Sequence, residues 1–319
     1  MNKPSPGNKP SAAAARFRTE AAKRILVTDG AWGTMIQTFG LAEADYAGTL
    51  GLSHEQKGNN DMLCLTRPDI IEKITQGYLD AGSDIVSTNT FSSTTISQAD
   101  YGAEHLVREL NLAAAGIARR AADAAQAKDG RPRFVAGALG PTNKTLSLSP
   151  DVNDPGFREV DYDQVKDVYT QQIQALLDGG VDFILIETIF DTLNAKAAIM
   201  AVLEESDRRG VEIPIMISMT ITDMSGRNLS GHAIDAFWWA VRHARPLTVG
   251  LNCSFGADLL RPHVQLLSGI ADTLLMSYPN AGLPNELGQY DELPARTGHL
   301  VEEWAKEGLI NVIGGCCGT

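Results

Sequence analysis

Short runs of aliphatic and β-branched residues alternate along this chain with longer segments in which apolar positions recur every three to four residues. The short runs are Ile25 to Asp29, Asp84 to Thr88, Arg133 to Ala138, Asp182 to Glu187, Pro214 to Met219, Leu247 to Asn252, Thr273 to Ser277 and Ile310 to Gly314. Near-continuous apolar runs of this length predict strands buried on both faces. Helical periodicity fills the intervals at 68–81, 104–125, 161–178, 191–208, 233–243, 257–268 and 296–307. Strands separated by helices predict a parallel sheet, because parallel neighbours require a crossover. An open doubly wound sheet would show the same alternation, but eight strands over this length fit a closed (β/α)8 TIM barrel of about 250 residues better.

The ends of the chain add two expectations. Residues 1–24 read as an N-terminal tail, to about residue 12, followed by a helix over Ala12 to Lys23 that caps one end of the core; residues 25–319 read as the barrel. The sequence stops at Thr319, directly after the eighth strand and its loop, so the barrel lacks its last helix at the C-terminus. A fragment boundary, another chain or the N-terminal helix would account for that face, and reduced stability is expected from the gap.

With 44% hydrophobic residues in 319, the chain is long enough for one large core. Asp and Glu outnumber Lys and Arg by 39 to 27, a formal net charge of -12, and no basic patch interrupts the surplus. A phosphate backbone or an anionic leaflet would be repelled, so neither nucleic acid nor membrane is expected as a partner. The first 24 residues contain no apolar signal core, and no apolar stretch reaches membrane length, which predicts a soluble, cytoplasmic protein. Four cysteines are too few for a disulfide scaffold and turn attention to metal binding or catalysis.

In such a barrel the working residues follow the strands. Cys253 follows strand 6 and Cys316-Cys317 follows strand 8, so two loops deliver three sulfurs to one rim, a set suited to a tetrahedral zinc with one position open. Glycines at 314, 315 and 318 are expected to supply the dihedrals that turn both adjacent sulfurs inward. Three inert buried cysteines or a strained vicinal disulfide are the alternatives. Cys64 precedes a helix, away from any strand end, and reads as a packing residue.

Three anionic sulfurs make zinc poor at activating water, yet an arriving thiol would still lose its proton and keep its electron density. The pattern therefore predicts alkyl transfer to a thiol, with the metal generating the nucleophile. Glu187 and Asp29, after strands 4 and 1, are carboxylates suited to an ammonium group, with a rim salt bridge or a turn cap as the plainer roles. The turn Gly30, Ala31 to Thr34 can aim N–H groups at a carboxylate, and Thr88, ending strand 2, completes the expected substrate-binding set.

These residues sit in a series of motifs that resembles the homocysteine S-methyltransferase family, and within it the N-terminal homocysteine-binding module of cobalamin-dependent methionine synthase. The motifs are DGAWGT from Asp29, KGNNDMLCLTRPD from Lys57, TNTF from Thr88, GPTNKT from Gly140, SPDVNDP from Ser149, IETIFDTLNAKAA from Ile186, TITDMSGRNLSG from Thr220, GLNC from Gly250, PNAGLPN from Pro279 and GGCCGT from Gly314. The resemblance implies a TIM barrel, Zn2+ on Cys253, Cys316 and Cys317, and homocysteine as the thiol. It further implies homocysteine contacts from Asp29 and Glu187, an approach of Asn280 to the metal when substrate is absent, and methionine as product. The donor implied is methylcobalamin, supplied by the cobalamin- and folate-binding modules or polypeptide of methionine synthase, since this chain has no D-x-H-x-x-G signature. A free-standing enzyme using betaine or S-methylmethionine, and a non-catalytic zinc-binding subunit, are the competing expectations. Met219 stands where the family pattern has glycine and is expected to press on the barrel mouth.

Overall fold

The computed structural model describes residues 7–319. Its eight strands are β1 (Leu26–Val27), β2 (Ile85–Ser87), β3 (Phe134–Leu139), β4 (Phe183–Ile189), β5 (Ile215–Met219), β6 (Thr248–Gly256), β7 (Leu274–Asn280) and β8 (Val312–Ile313). All neighbouring strands pair in parallel, in the order β1-β8-β7-β6-β5-β4-β3-β2. A bridge between Thr28 and Ile85 joins β1 to β2 and closes the barrel. The doubly wound alternative, which would leave two free edges, is thereby excluded.

Eight longer helices accompany the strands: α1 (Ala12–Ala21), α2 (Pro68–Ala81), α3 (Val107–Asp129), α4 (Tyr162–Asp178), α5 (Thr192–Arg209), α6 (Ile234–Val241), α7 (Ala257–Ile270) and α8 (Pro294–Lys306). Their limits follow ordinary chemistry. Ser11 caps α1, Asp161 and Gln164 form a capping box on α4, and Pro68 opens α2, which Gly82 ends in the left-handed conformation.

Side chains alternate between two apolar layers. Leu26, Ile85, Phe134, Phe183, Met216, Met276 and Val312 fill the barrel interior, whereas Val135, Ile184, Ile217, Val249 and Leu275 join the layer beneath the helices. Met219 belongs to the outer layer and is fully buried there, so its bulk does not press on the mouth. The period of two explains this: Met216 and Ser218 face one way, Ile217 and Met219 the other.

Helix α1 lies across the N-terminal end of the barrel. Its Phe17, fully buried, stacks edge-on against Phe134 at 5.5 Å and Phe183 at 5.3 Å. It leaves the outer face of β1 open, where Val27 remains 39% exposed. Of the tail expected before α1, residues 1–6 lie outside the described residues, and Lys9 is anchored rather than free. Its N–H donates to the Gly210 carbonyl at 3.1 Å, and its carbonyl accepts from Glu212 at 2.8 Å. Among the described residues no helix is long and apolar enough to cross a membrane.

Candidate metal and substrate site

With Phe17 stopping one end, the open end of the barrel is the C-terminal one, where the strands release their loops. A cavity of about 320 Å³ lies there, lined among others by Asp29, Gly30, Ala31, Asp61, Thr88, Phe91, Glu187, Cys253, Tyr278, Cys316 and Cys317.

The sulfurs of Cys253, Cys316 and Cys317 all lie within 4.8 Å of one another. Tetrahedral zinc with Zn–S bonds of about 2.3 Å needs sulfurs roughly 3.8 Å apart, so the trio fits this metal with a small inward adjustment. The Cys317 thiol is pulled far below the usual range by hydrogen bonds from Cys253 and Cys316, while Cys316 is pushed well above it by its contacts with Cys253 and Cys317. Cys64 is buried elsewhere, 3.5 Å from the carbonyl of Asn89, and its thiol pKa is pushed up by burial.

The glycines that deliver the adjacent cysteines divide the work differently from expectation. Gly318 alone of the three adopts a positive φ, +83°. Gly314 is needed for close approach, since a Cβ there would lie 2.2 Å from the Thr28 Cγ2 atom. Gly315 then donates to the Asp29 carbonyl at 3.2 Å, which sews the cysteine loop onto the loop after β1.

Cys253 itself has φ +62°, followed by Ser254 at +64°, and Thr188 beside Glu187 has φ +54°. Such left-handed conformations at non-glycine residues cost about 1–3 kcal/mol each and persist only where surroundings over-determine them. Both strands leave their ladders at these points: pairing breaks between Ile186 and Ile189 in β4 and between Asn252 and Gly256 in β6.

Glu187 is half-buried at the cavity wall, and its carboxylate accepts a hydrogen bond from the Tyr278 hydroxyl at 3.1 Å. Burial, partly offset by Tyr278 and reinforced by Asp29, raises its pKa to about 7. Asp29 is raised to about 6 by burial, despite bonds from the Ser87 N–H (2.6 Å), the Ser87 hydroxyl (2.8 Å) and the Thr28 hydroxyl (3.0 Å). A third carboxyl, Asp61, lines the same cavity, and burial lifts its pKa to about 7. No Lys, Arg or His is among the described residues lining the cavity, so the site favours a cationic group.

Other expected residues occupy supporting positions. Gly30 and Ala31 line the cavity, but the Ala31 N–H is taken by the Thr319 carbonyl at 3.2 Å. The Thr88 hydroxyl is engaged by Thr90 at 2.6 Å and by the Ala138 N–H at 3.0 Å. Asn280 is buried, and its Oδ1 accepts from the Cys317 N–H at 3.1 Å, orienting the cysteine loop. Sequence reasoning assigned no role to Ser87, Tyr278 or Asp61. Ser87 also accepts from the Trp32 indole N–H at 3.0 Å. Tyr278 stands directly before Pro279-Asn280, a position at a strand end that marks it out in retrospect.

A sequence model of the family described as homocysteine S-methyltransferase matches residues 26–319. Among solved structures, the chain is similar to the homocysteine methyltransferase MmuM from Escherichia coli. Its metallated form has a TM-score of 0.74 at 22% identity over 95% of each chain. Its oxidised form gives 0.73 at 21% identity over 95% of each chain. At this identity the likeness speaks for the fold.

Proposed function

Because the chain belongs to the homocysteine S-methyltransferase family, we propose that it is the homocysteine-activating barrel of a cobalamin-dependent methionine synthase. Cys253, Cys316 and Cys317 are its zinc ligands, and Glu187 and Asp29 receive the ammonium group of homocysteine. When bound, zinc on three thiolates supplies the charge that deprotonates a substrate thiol while leaving its sulfur electron-rich. The protein's own contribution is placement. Tyr278 fixes Glu187, Ser87 and Thr28 fix Asp29, and Asn280 fixes the Cys317 backbone, so the sulfur and the ammonium are held from opposite sides.

The observation that carries this reading is the union, in one cavity, of three sulfurs within 4.8 Å and two carboxyls, Asp29 buried and Glu187 half-buried, free of basic partners. Two observations support a donor held outside the chain. A corrin is too large to share about 320 Å³ with homocysteine, so its methyl group must be presented at the mouth. The loops around that mouth expose Phe91, Val152, Phe157, Met224, Leu283 and Leu287, an apolar rim suited to a large partner.

A second reading has its own support. Asp61 would suit a small cationic donor such as a sulfonium or quaternary ammonium compound, as in a free-standing enzyme using S-methylmethionine or betaine. A donor comparison on the zinc-loaded protein separates them. Methionine formed from homocysteine and methylcobalamin, with none from betaine or S-methylmethionine, is the expected outcome; turnover with either small donor alone overturns the cobalamin assignment. Zinc without calorimetric homocysteine binding would instead leave a non-catalytic subunit.

A further inference from the structure

Asn252 is 1% exposed, is the last residue of β6 paired to β7 before the ladder breaks, and directly precedes Cys253. Its carboxamide reaches sideways across the sheet. The Oδ1 atom accepts from the Thr188 N–H at 3.1 Å and from the Ser218 hydroxyl at 2.7 Å, and Nδ2 donates to the Thr188 hydroxyl at 2.8 Å. One side chain thus supplies the bonds that β4 forfeits at its own break, and it grips the left-handed Thr188 beside Glu187.

The two ends of this strut are not equally supported. Beyond Cys253, Ser254 is tied to the Thr220 hydroxyl at 2.7 Å and to the Ile221 carbonyl, so the sulfur end keeps other anchors. Among the described residues, the Glu187 carboxylate has one hydrogen-bond partner, Tyr278, and the Thr188 backbone beside it is held in its strained turn by Asn252.

We infer that Asn252 is a positioning residue that sets the spacing between the thiolate site and the ammonium-binding carboxylate, and thereby selects homocysteine over cysteine, one methylene shorter. This rests on the reading that sulfur binds at the cysteine trio and ammonium at Glu187. One methylene is worth roughly 10–200-fold even in a plain hydrophobic pocket. A mobile Glu187 follows the shorter amino acid and forfeits that margin.

The test is calorimetric titration of the zinc-loaded protein with homocysteine, cysteine and 1-propanethiol, which has no ammonium group. Asn252→Ala should keep one zinc per chain, lower homocysteine affinity roughly tenfold or more, as expected when a buried bonding group is deleted, and leave propanethiol nearly unchanged. The preference for homocysteine over cysteine should collapse with it. Adding Thr188→Gly should restore part of the preference, because glycine takes a positive φ without a clamp. Equal weakening of all three thiols, or a preserved preference, overturns the inference. Should Asn252→Ala not fold, Ser218→Ala removes one of the three bonds and should lower the same preference by a smaller factor; an unchanged preference there is equally fatal. Wild-type protein that binds homocysteine no better than propanethiol would instead defeat the underlying reading of the site, and the inference falls with it.

Discussion

The two ends of this barrel treat carboxylates in opposite ways. At the N-terminal end, Asp84 before β2 bonds Arg24 at 2.6 Å, Arg131 at 2.8 Å and the Val27 N–H at 2.9 Å, and its pKa is lowered although burial opposes this. Asp182 before β4 is paired with Arg119 at 2.8 Å. At the C-terminal end, Asp29 and Asp61 are buried and Glu187 half-buried, none with a cation beside it in the cavity, and all three are raised. The same residue type is therefore paired for stability at one end and left without a cation at the other, where the proposed function gives it a ligand to hold. Unpaired buried charge has a cost that a structural end avoids and a binding end recovers when a cationic substrate arrives.

The largest expected break is at the thiolate trio. Cys253→Ala or Cys316→Ala should abolish zinc retention and methyl transfer, by at least about 10³-fold if the site behaves like other essential catalytic centres. Cys64→Ala should keep both, so metal analysis of the three variants locates the site. Loss of zinc at Cys64 equal to that at Cys316 would contradict the assignment.

Breaking the other end should give the reverse pattern. Asp84→Ala leaves two arginines and a strand N–H without their partner and should destabilise the fold by roughly 2–4 kcal/mol, read as a lowered denaturation midpoint. Homocysteine affinity, measured below that midpoint, should be little changed.

Glu187→Gln sharpens the contrast through binding. Wild-type affinity for homocysteine should climb as pH rises through about 6 to 7, where Asp29 and Glu187 gain the charge that attracts ammonium. The variant should bind roughly 10–100-fold more weakly at pH 8, the size of a charge-assisted hydrogen bond of about 1.5–3 kcal/mol, with a flatter profile. Identical profiles would remove Glu187 from the ammonium site.

The smallest effect concerns stability without ligand. Glu187 has its pKa raised in the folded state, so its contribution is fully present below its unfolded value and is lost as pH rises past about 7. Asp84, lowered by its partners, contributes above its unfolded value and loses that contribution as pH falls. Glu187→Gln should accordingly stabilise the free protein at pH 8 by roughly 1–3 kcal/mol, detected by thermal melting, and by much less at pH 5.

All eight strands were legible because fully apolar runs flanked by helical periodicity have few other uses. Their ends were less so. β4, β6 and β7 extend beyond the predicted limits through Thr188, Cys253 and Asn280, where backbone irregularity, not hydrophobicity, shapes the chain. Short helices at Trp32–Gln37, Glu43–Ala47, Leu63–Thr66 and Thr95–Gln98 went unforeseen, being too brief to show a period. Within the site, Cys253 and the Cys316-Cys317 pair stood out because cysteine at a strand end is informative by itself. Ser87, Tyr278 and Asn252 did not, since their partners Asp29, Glu187 and Thr188 lie 58, 91 and 64 residues away and no local spacing announces the pairing.

The bridge between Thr28 and Ile85 that closes the barrel has a dynamic consequence. This seam is a single bridge, against two residue pairs between β1 and β8 and three between β2 and β3, and the Asp29 carboxylate crosses it to grip Ser87. Spontaneous opening should begin there, so amide hydrogens at Asp29, Asp84 and Ser87 would exchange with solvent sooner than those of β4 to β6. A ligand that fixes Asp29 fastens the same joint, and its arrival would be recorded as slowed exchange along the line where the sheet meets itself.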